Sequence, residues 1–275
     1  MQHSLDPVTL AVIDNRLRAI VEEMGEAMLR TSYSQILNSS RDFSIALCDS
    51  ACRLVAQADH IPVHVGAMPW AALAVAEAFA DDIHPGDTFL LNDPYFGGSH
   101  LPDLTIILPV FAEGELRFWS VVRAHQSDIG GATHGGYNPG ATEIWQEGLR
   151  VPPIRLGEQG GLRKDLVRML ATNTRVARDF RGDLMAMVGA ARLGERRLDA
   201  LLAQHGASAL EAAVAAVLAL SEAHARRIVA SWPDGVWTGE ALLDDDGFDR
   251  TDIAIRATCT KTGDRLTVDL TASDP

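Results

Sequence analysis

The chain has 275 residues, of which 47% are hydrophobic, so it can bury the core of one large domain or of two ordinary ones. Its 37 acidic residues outnumber its 24 basic residues, and the resulting formal charge of -13 argues against nucleic acid and anionic membranes as partners. Three cysteines form an odd set that is unlike a disulfide framework and favours a reducing, cytoplasmic location.

The first half of the chain predicts helices and hairpins in alternation. An amphipathic helix is expected over residues 6–29, with Asp6 as its cap, and a short hairpin is expected over 42–57. An alanine-rich helix follows over about 68–80, and a buried strand over 88–91 delivers the chain into the motif "NDPYFGGSHLPD". The N-terminus lacks the basic start and apolar centre of a signal peptide, so we expect neither export by that route nor a membrane span.

The second half begins with a long glycine- and proline-rich connection, which in a compact domain is more often functional than idle. Helical patterns follow over about 162–230, and three strands with turns are expected in the tail. The fold class predicted is mixed α+β, with β-hairpins, a sheet and a long N-terminal helix. We expect three parts: an α/β metal-site region at 1–160, a helical segment at 161–232 and a β segment at 233–275.

A second hairpin, expected over residues 105–124, determines the geometry around that motif. If its loop is the two-residue pair 113–114, strand pairing places Pro102 opposite His125 and Asp103 beside Ala124. Neighbouring strands lie ~4.8 Å apart, so these residues are expected to converge at the open end of the ladder. An error of one or two residues in the register leaves that convergence intact.

His100, Asp103 and His125 form a three-ligand facial set of two imidazoles and one carboxylate, which leaves coordination positions open for water and substrate. With nitrogen and oxygen ligands but no thiolate, the expected ion is manganese, iron or zinc. Gly97 and Gly98 are expected to let the backbone approach a bound group closely. The alternative is that His100 and Asp103 stabilise local turns and that His125 ends a strand by chance.

Further candidates lie outside this set. His60 and His64 in "HIPVH" can line the same pocket if the chain is extended there, or they can be structural loop residues. Glu143 and Glu147 share one face of a short predicted helix, where one is a candidate general base and the alternative is a solvated face. Neither G-x-x-x-x-G-K-[ST] nor G-x-G-x-x-G, the two common glycine-rich nucleotide-binding patterns, occurs in the sequence. The chain therefore shows no recognisable phosphate loop of its own.

Four motifs together identify a family. "SRDFSIALCD…HIPVHVGAM", "NDPYFGGSHLPD", "RAHQSDIGG" and "ATEIWQEGLRVPP", followed by "NTRVARDFRGDLMA", resemble the hydantoinase B/oxoprolinase family over essentially the whole chain. This resemblance implies a divalent metal held by His100, Asp103 and His125, and it places Asn92 and Asp93 near the pocket, together with His60 and His64. It also implies a larger A-type partner subunit that binds ATP and phosphorylates the substrate.

The resemblance leaves the reaction open between two classes. In a cyclic-amide hydrolase of the N-methylhydantoinase or 5-oxoprolinase type, metal-activated water opens a ring that the partner has activated. In a ketone carboxylase of the acetone or acetophenone type, the metal instead stabilises an enolate or orients a phosphorylated carbon unit. A third possibility is an inactive interaction fragment, in which the arginine-rich segment 163–197 docks an acidic surface.

The sequence departs from the family pattern in two respects. Family B subunits are about twice as long, so the chain is expected to be an N-terminal portion, and a chain that supplies the C-terminal half is a candidate partner. Gln126 also stands where many relatives carry a second histidine, which puts a proton-transfer role for that position in doubt.

Overall fold

The protein was analysed as a computed structural model that describes residues 6–58 and 60–275. Its contacts divide the chain into two compact units, Met1–Val214 and Ala215–Pro275. Each unit combines helix and strand, and the sheets are antiparallel, which confirms the mixed α+β class. The three-part division at residues 160 and 232 stays a prediction.

The helices and strands are numbered here in chain order. The helices of the described chain are α1 (Pro7–Thr31), α2 (Gln35–Asn38), α3 (Pro62–Phe79), α4 (Lys164–Thr172), α5 (Ala177–His205) and α6 (Ala207–Ala230). The strands of the first unit are β1 (Phe43–Asp49), β2 (Leu54–Gln57), β3 (Thr88–Leu91), β4 (Asp103–Ala112), β5 (Glu115–His125), β6 (Ile154–Glu158) and β7 (Gly161–Leu162). The second unit contributes β8 (Gly235–Asp245), β9 (Thr251–Thr262) and β10 (Arg265–Asp269).

The long helix α1 forms where the sequence predicted it. The carboxylate of Asp6 accepts hydrogen bonds from the backbone N–H groups of Val8 and Thr9, both at 3.0 Å, and Pro7 occupies the first turn. Six apolar residues at helical spacing form its buried face: Ile13, Leu17, Ile20, Val21, Met24 and Met28.

The seven strands of the first unit form one antiparallel sheet in the order β2-β1-β5-β4-β3-β6-β7. One face packs against α3, and its core includes Ala46, Trp119 and Ile107. The other face packs against α1 and α5, where the Ser120 hydroxyl donates a 2.9 Å hydrogen bond to the Ala191 carbonyl. Alternate residues of each strand therefore face different layers of helix.

The hairpin of β4 and β5 has the predicted two-residue loop but a different register along most of its length. Glu113 and Gly114 both have positive φ, as a tight hairpin loop requires. The register shifts at Val110, where one extra residue on β5 forms a bulge. Asp103 consequently lies directly opposite His125, so the predicted pairing of Asp103 with Ala124 is wrong by one residue.

Helix α3 begins earlier than predicted, at Pro62 rather than near residue 68. Proline is compatible with the first turn, and a second proline, Pro69, is accommodated inside the helix. The extended conformation expected for "HIPVH" is therefore wrong, because His64 lies in the first turn of α3.

The second unit contains the predicted three-stranded tail, with the order β10-β9-β8. Within the described residues, one helix, α6, meets the length and composition criteria for crossing a membrane, with a mean hydropathy of 1.2 over its most apolar window. No such segment was expected from the sequence. Core helices of globular proteins meet the same criteria, so α6 alone is weak evidence for a span.

Candidate metal centre

The fold brings three distant side chains to one end of the sheet. Asp103 is the first residue of β4 and His125 the last residue of β5, and the bulged register pairs them directly. His100 lies three residues before Asp103 in the loop that enters β4. The cluster lies on the α3 side of the sheet, because side chains alternate along each strand and Ile107 of β4 and Val121 of β5, on the same face as the cluster, pack with α3.

The facing donor atoms of the three residues form a compact triangle. The Nε2 atom of His100 lies 3.0 Å from Oδ1 of Asp103, and the Nδ1 atom of His125 lies 3.2 Å from the same oxygen. The two ring nitrogens are 3.2 Å apart. Asp103 is only 1% exposed, whereas the His100 side chain is 44% exposed, so the triangle is open to solvent on one side.

This triangle fits a metal ion. An ion held roughly 2.1 Å from three donors at right angles requires donors about 3 Å apart, which the observed separations match. Although two ring nitrogens approach it, Oδ1 of Asp103 is buried and has no well-aligned hydrogen bond. A buried carboxylate oxygen without a hydrogen bond, beside two imidazole nitrogens that converge on it, is typical of a ligand set.

The second oxygen of Asp103 is held by other residues. Oδ2 lies 3.0 Å from Nε2 of His64 and accepts a hydrogen bond from the Ser99 hydroxyl. The other ring nitrogen of His64 lies 3.2 Å from the Ser44 hydroxyl. The Ser44 hydroxyl also donates to the Ile61 carbonyl at 3.2 Å, and which partner donates in its contact with His64 depends on the tautomer of the ring. His64 and Ser99 thus orient the carboxylate so that Oδ1 faces the imidazoles.

The charges within the cluster are strongly coupled. Burial opposes ionisation of Asp103, but the close imidazole nitrogens of His100, His125 and His64 outweigh it and hold the pKa of this carboxyl well below its usual range. The close Asp103 carboxylate raises the pKa of His100, and the nearby charges of Asp42 and Glu147 act in the same direction. Asp103 is therefore an anion at neutral pH, as a metal ligand must be.

A buried arginine that the sequence analysis did not single out lies in the sheet next to the cluster and binds the loop that carries His100. Arg123 is fully buried on β5; its Nε donates to the Thr105 hydroxyl at 2.8 Å and its Nη2 to the Gly97 carbonyl at 2.6 Å. Burial lowers the pKa of Arg123 to about 10, against the opposing influence of Asp103. Arg123 thus joins the loop 92–102, which carries His100 and is called the ligand loop below, to the sheet. Its position two residues before His125 in "RAHQ" was the feature of the sequence that could have indicated this role.

The two glycines of the ligand loop are required by packing against the protein itself. Gly97 has a φ of +83°, and a Cβ there would lie 2.3 Å from the backbone nitrogen of Ala71 in α3. A Cβ on Gly98 would lie 2.2 Å from the Asn92 carbonyl oxygen. These contacts alone require glycine, because they bring the loop close to α3 and to its own start; the approach to a bound group stays a prediction.

Asn92 and Asp93 hold this loop in place rather than projecting into the triangle. The amide of Asn92 donates to the carbonyls of Leu101 and Leu149, and its oxygen accepts from the Val151 N–H at 2.7 Å. The carboxylate of Asp93 is bound by Arg150 at 2.6 Å. Both side chains are buried and fully engaged, and a catalytic role for either stays a prediction.

His60 and Glu143 are placed away from the triangle's contacts. The ring of His60 stacks on Phe43 with centroids 4.5 Å apart and adjoins Gly25 of α1, so it lies on the opposite face of the sheet from His64. The exposed Glu143 caps a single 3-10 turn, Ile144–Gln146, where the sequence predicted a short helix. Their catalytic roles stay predictions, and Glu147 is the glutamate whose charge reaches His100.

Gln126 faces the other layer of the fold. Its side-chain amide donates to the Ala124 carbonyl at 3.2 Å and lies 3.6 Å from the sulfur of Met187 in α5. It is 1% exposed. Gln126 thus packs between the sheet and α5.

A protein with this sheet and this ligand triangle belongs to a recognised class. The family model described as hydantoinase B/oxoprolinase matches residues 6–275, and the chain belongs to this family. It is similar to the caprolactamase subunit beta of Pseudomonas jessenii, with 39% identity over 266 residues that cover 97% of this chain and 46% of the relative. It also resembles a 5-oxoprolinase of Dictyostelium discoideum, with 36% identity over 76% of this chain and 16% of the relative.

Solved structures have the same architecture. The crystal structure of the ATP-dependent caprolactamase from Pseudomonas jessenii superposes with a TM-score of 0.92 at 39% identity, covering 97% of this chain and 46% of that one. A nucleotide-free acetone carboxylase superposes with a TM-score of 0.84 at 21% identity, covering 98% and 37%, which shows a shared fold. The chain spans about half the length of the curated relatives it matches most extensively.

Proposed function

We propose that this chain carries the metal-holding part of a B-type subunit of an ATP-dependent cyclic-amide hydrolase. The observation that carries the proposal is the triangle of His100, Asp103 and His125, whose donor atoms lie 3.0–3.2 Å apart around a buried carboxylate. Caprolactam and 5-oxoproline, after which two of the relatives are named, are both cyclic amides. A cyclic amide is therefore the proposed substrate class.

The proposed cofactor is a divalent ion, with manganese, zinc and iron as candidates because all three accept nitrogen and oxygen donors. When bound, such an ion lowers the pKa of water and supplies a nucleophile at neutral pH. The chain's own contribution is to hold Asp103 ionised and oriented through His64 and Ser99, and to keep the ligand loop in place through Arg123. The exposed side of His100 leaves room for a substrate carbonyl to approach.

Activation of the amide is assigned to a partner. Water attacks an amide carbonyl slowly, and phosphorylation of the carbonyl oxygen makes the carbon electrophilic and provides a leaving group. The sequence contains no recognisable phosphate loop, so ATP is proposed to bind an A-type subunit rather than this chain. A further chain or segment corresponding to the relatives' C-terminal half is proposed to complete the subunit, in a cytoplasmic hetero-oligomer.

The carboxylase alternative shares the metal ligands but has less support. Sequence identity is 39% to the caprolactamase and 21% to the acetone carboxylase, and an identity of 21% supports a shared fold but not a shared reaction. The inactive-fragment alternative is disfavoured by the intact ligand triangle, because an inert interaction module has no need of a buried ionised aspartate between two histidines.

Reconstitution tests the proposal. The purified chain is combined with the chain or segment that supplies the C-terminal half, the A-type subunit, ATP and caprolactam, hydantoin or 5-oxoproline, and ring-opened product and ADP are quantified together. We expect ATP-dependent ring opening of at least one cyclic amide that is lost when His100 is replaced by alanine. Bicarbonate-dependent ATP turnover with a ketone, without ring opening of any amide, would show that the carboxylase alternative is correct.

A further inference from the structure

A surface groove lies along α5 beside the end of α1, remote in sequence from the metal ligands. It has a volume of about 790 Å³ and an apolar floor that includes Ala186, Ala190 and Leu193 of α5. Met185 lies in it with 44% of its surface exposed, and Tyr33 at its edge is 57% exposed. Large exposed apolar side chains along a helical groove are typical of a protein-binding surface.

Three arginines give this groove its charge. Arg178, Arg181 and Arg196 line it, and none of its lining residues is acidic. Within residues 6–58 and 60–275, no carboxylate lies within ion-pair distance of these three guanidinium groups. We call this feature the arginine groove.

Other arginines of the same helical region are already paired inside the protein. Arg163, Arg175, Arg192 and Arg197 form ion pairs with Asp165, Asp128, Glu195 and Glu23 respectively. The three groove arginines thus differ from these four in having no carboxylate within ion-pair distance, although the charge of Glu23 reaches Arg196. They are the arginines that a partner seated in the groove would meet.

The shape of the groove favours a helix over a small ligand. Its arginines span positions 178 to 196 of α5, and at 1.5 Å per residue that distance is roughly 27 Å. An amphipathic helix laid along such a groove buries its apolar face on the floor and presents its polar flanks to the rim. Flanks that match three unpaired guanidinium groups carry carboxylates, because arginine pairs with them bidentately.

We propose that the arginine groove docks an acidic amphipathic helix of the A-type ATP-binding subunit. This inference rests on the proposed function, which requires such a subunit. The formal charge of -13 makes most of the chain's surface repel an acidic partner, so a patch of three unpaired arginines determines where that partner binds. Complex formation is therefore sensitive to salt and to the sign of the charge at this groove.

Charge reversal tests the proposal on the full chain. The triple variant Arg178→Glu, Arg181→Glu, Arg196→Glu is compared with a matched control that reverses three exposed arginines elsewhere, Arg18, Arg168 and Arg265. Affinity for the purified A-type subunit is measured by biolayer interferometry at low and high salt, after circular dichroism has verified that both variants are folded. A triple replacement by lysine retains the charge and serves as the conservative variant.

We expect the groove reversal to weaken binding at least tenfold at low salt, and the control reversal and the lysine variant to bind within about threefold of wild type. A photo-crosslinking residue at Met185 is expected to link to an acidic helix of the A-type subunit. Equal affinities for the two reversals, or a crosslink-free Met185 in an intact complex, overturn the proposal.

Failure of docking and failure of the proposed function give different results. If the reversed complex binds normally and still opens a cyclic amide, the groove proposal is wrong and the function stands. If binding depends on the arginine groove but no cyclic amide is opened, docking stands and the function is wrong. If the wild-type chain binds no A-type subunit, the groove proposal falls together with the partner assignment.

Discussion

Replacement of His64 by leucine tests how the ligand cluster is held together. His64 contacts Oδ2 of Asp103 at 3.0 Å, on the side of the carboxylate turned away from His100 and His125. Its side chain is 4% exposed, so water does not replace the lost contact easily. The leucine variant leaves the three candidate ligands in place and removes one of the two groups that orient the aspartate.

The size of the effect follows from this geometry. A hydrogen bond to a charged group contributes about 1.5–3 kcal/mol, and each 1.4 kcal/mol is a factor of ten in affinity. Because Ser99 still holds Oδ2, we expect the lower part of this range, a roughly 10- to 30-fold weaker affinity for manganese or zinc, which lies within the losses seen for residues that orient metal ligands. Competition titration against a chelating indicator measures it.

The matched control is His84→Leu. His84 is exposed and pairs with Asp82 at 3.1 Å, so its replacement is expected to leave metal affinity unchanged. If the folded His64→Leu variant binds metal within about twofold of wild type, the argument that His64 orients Asp103 is refuted. An equal loss in both variants would refute it as well, because the effect would then be unspecific.

Three further predictions concern the fold. Gly97→Ala is expected to lower the free energy of unfolding by about 2–4 kcal/mol in urea titrations, because its Cβ meets the α3 backbone at a positive φ. Asp128→Asn is expected to cost about 1–2 kcal/mol at pH 7. Burial opposes ionisation of Asp128, but hydrogen bonds outweigh it and lower the pKa of this carboxyl. The stabilising effect of Asp128 is therefore present above the ordinary carboxyl pKa of about 4 and declines as the pH falls below that value. Denaturation of wild type and variant at pH 7 and pH 3.5 measures this decline. In the native protein at pH 8 we expect a thiol reagent to modify Cys259 before Cys48 and Cys52. Burial raises the pKa of both other thiols, that of Cys52 to about 11.

Local signals in the sequence predicted the elements around the site well. The capping residue Asp6 and the glycine turn at 113–114 are local, and both determine structure within a few residues. The bulge in β5 is different, because it depends on how the strand packs between α3 and its neighbours. A prediction based on alternation alone could not detect it, yet it aligns Asp103 with His125.

The second layer of the site depends on contacts between residues distant in sequence. Ser44 contacts His64, and Arg123 binds the carbonyl of Gly97, and no periodicity or spacing encodes either contact. Nor did the sequence indicate that Asn92 would hydrogen-bond the backbone of Val151, 59 residues away, and so hold the ligand loop in place. The candidate ligands could be proposed from the sequence because metal chemistry restricts residue types, whereas the residues that support them are determined by tertiary packing.

Metal content of the purified chain tests the central claim most directly. Wild-type protein and a His100→Ala, His125→Ala double variant are loaded with manganese or zinc, desalted and analysed by inductively coupled plasma mass spectrometry. We predict close to one divalent ion per wild-type chain and none above background in the folded double variant, which keeps only one of the three candidate ligands. Equal metal content in the two proteins would contradict the assignment of this triangle as a metal centre.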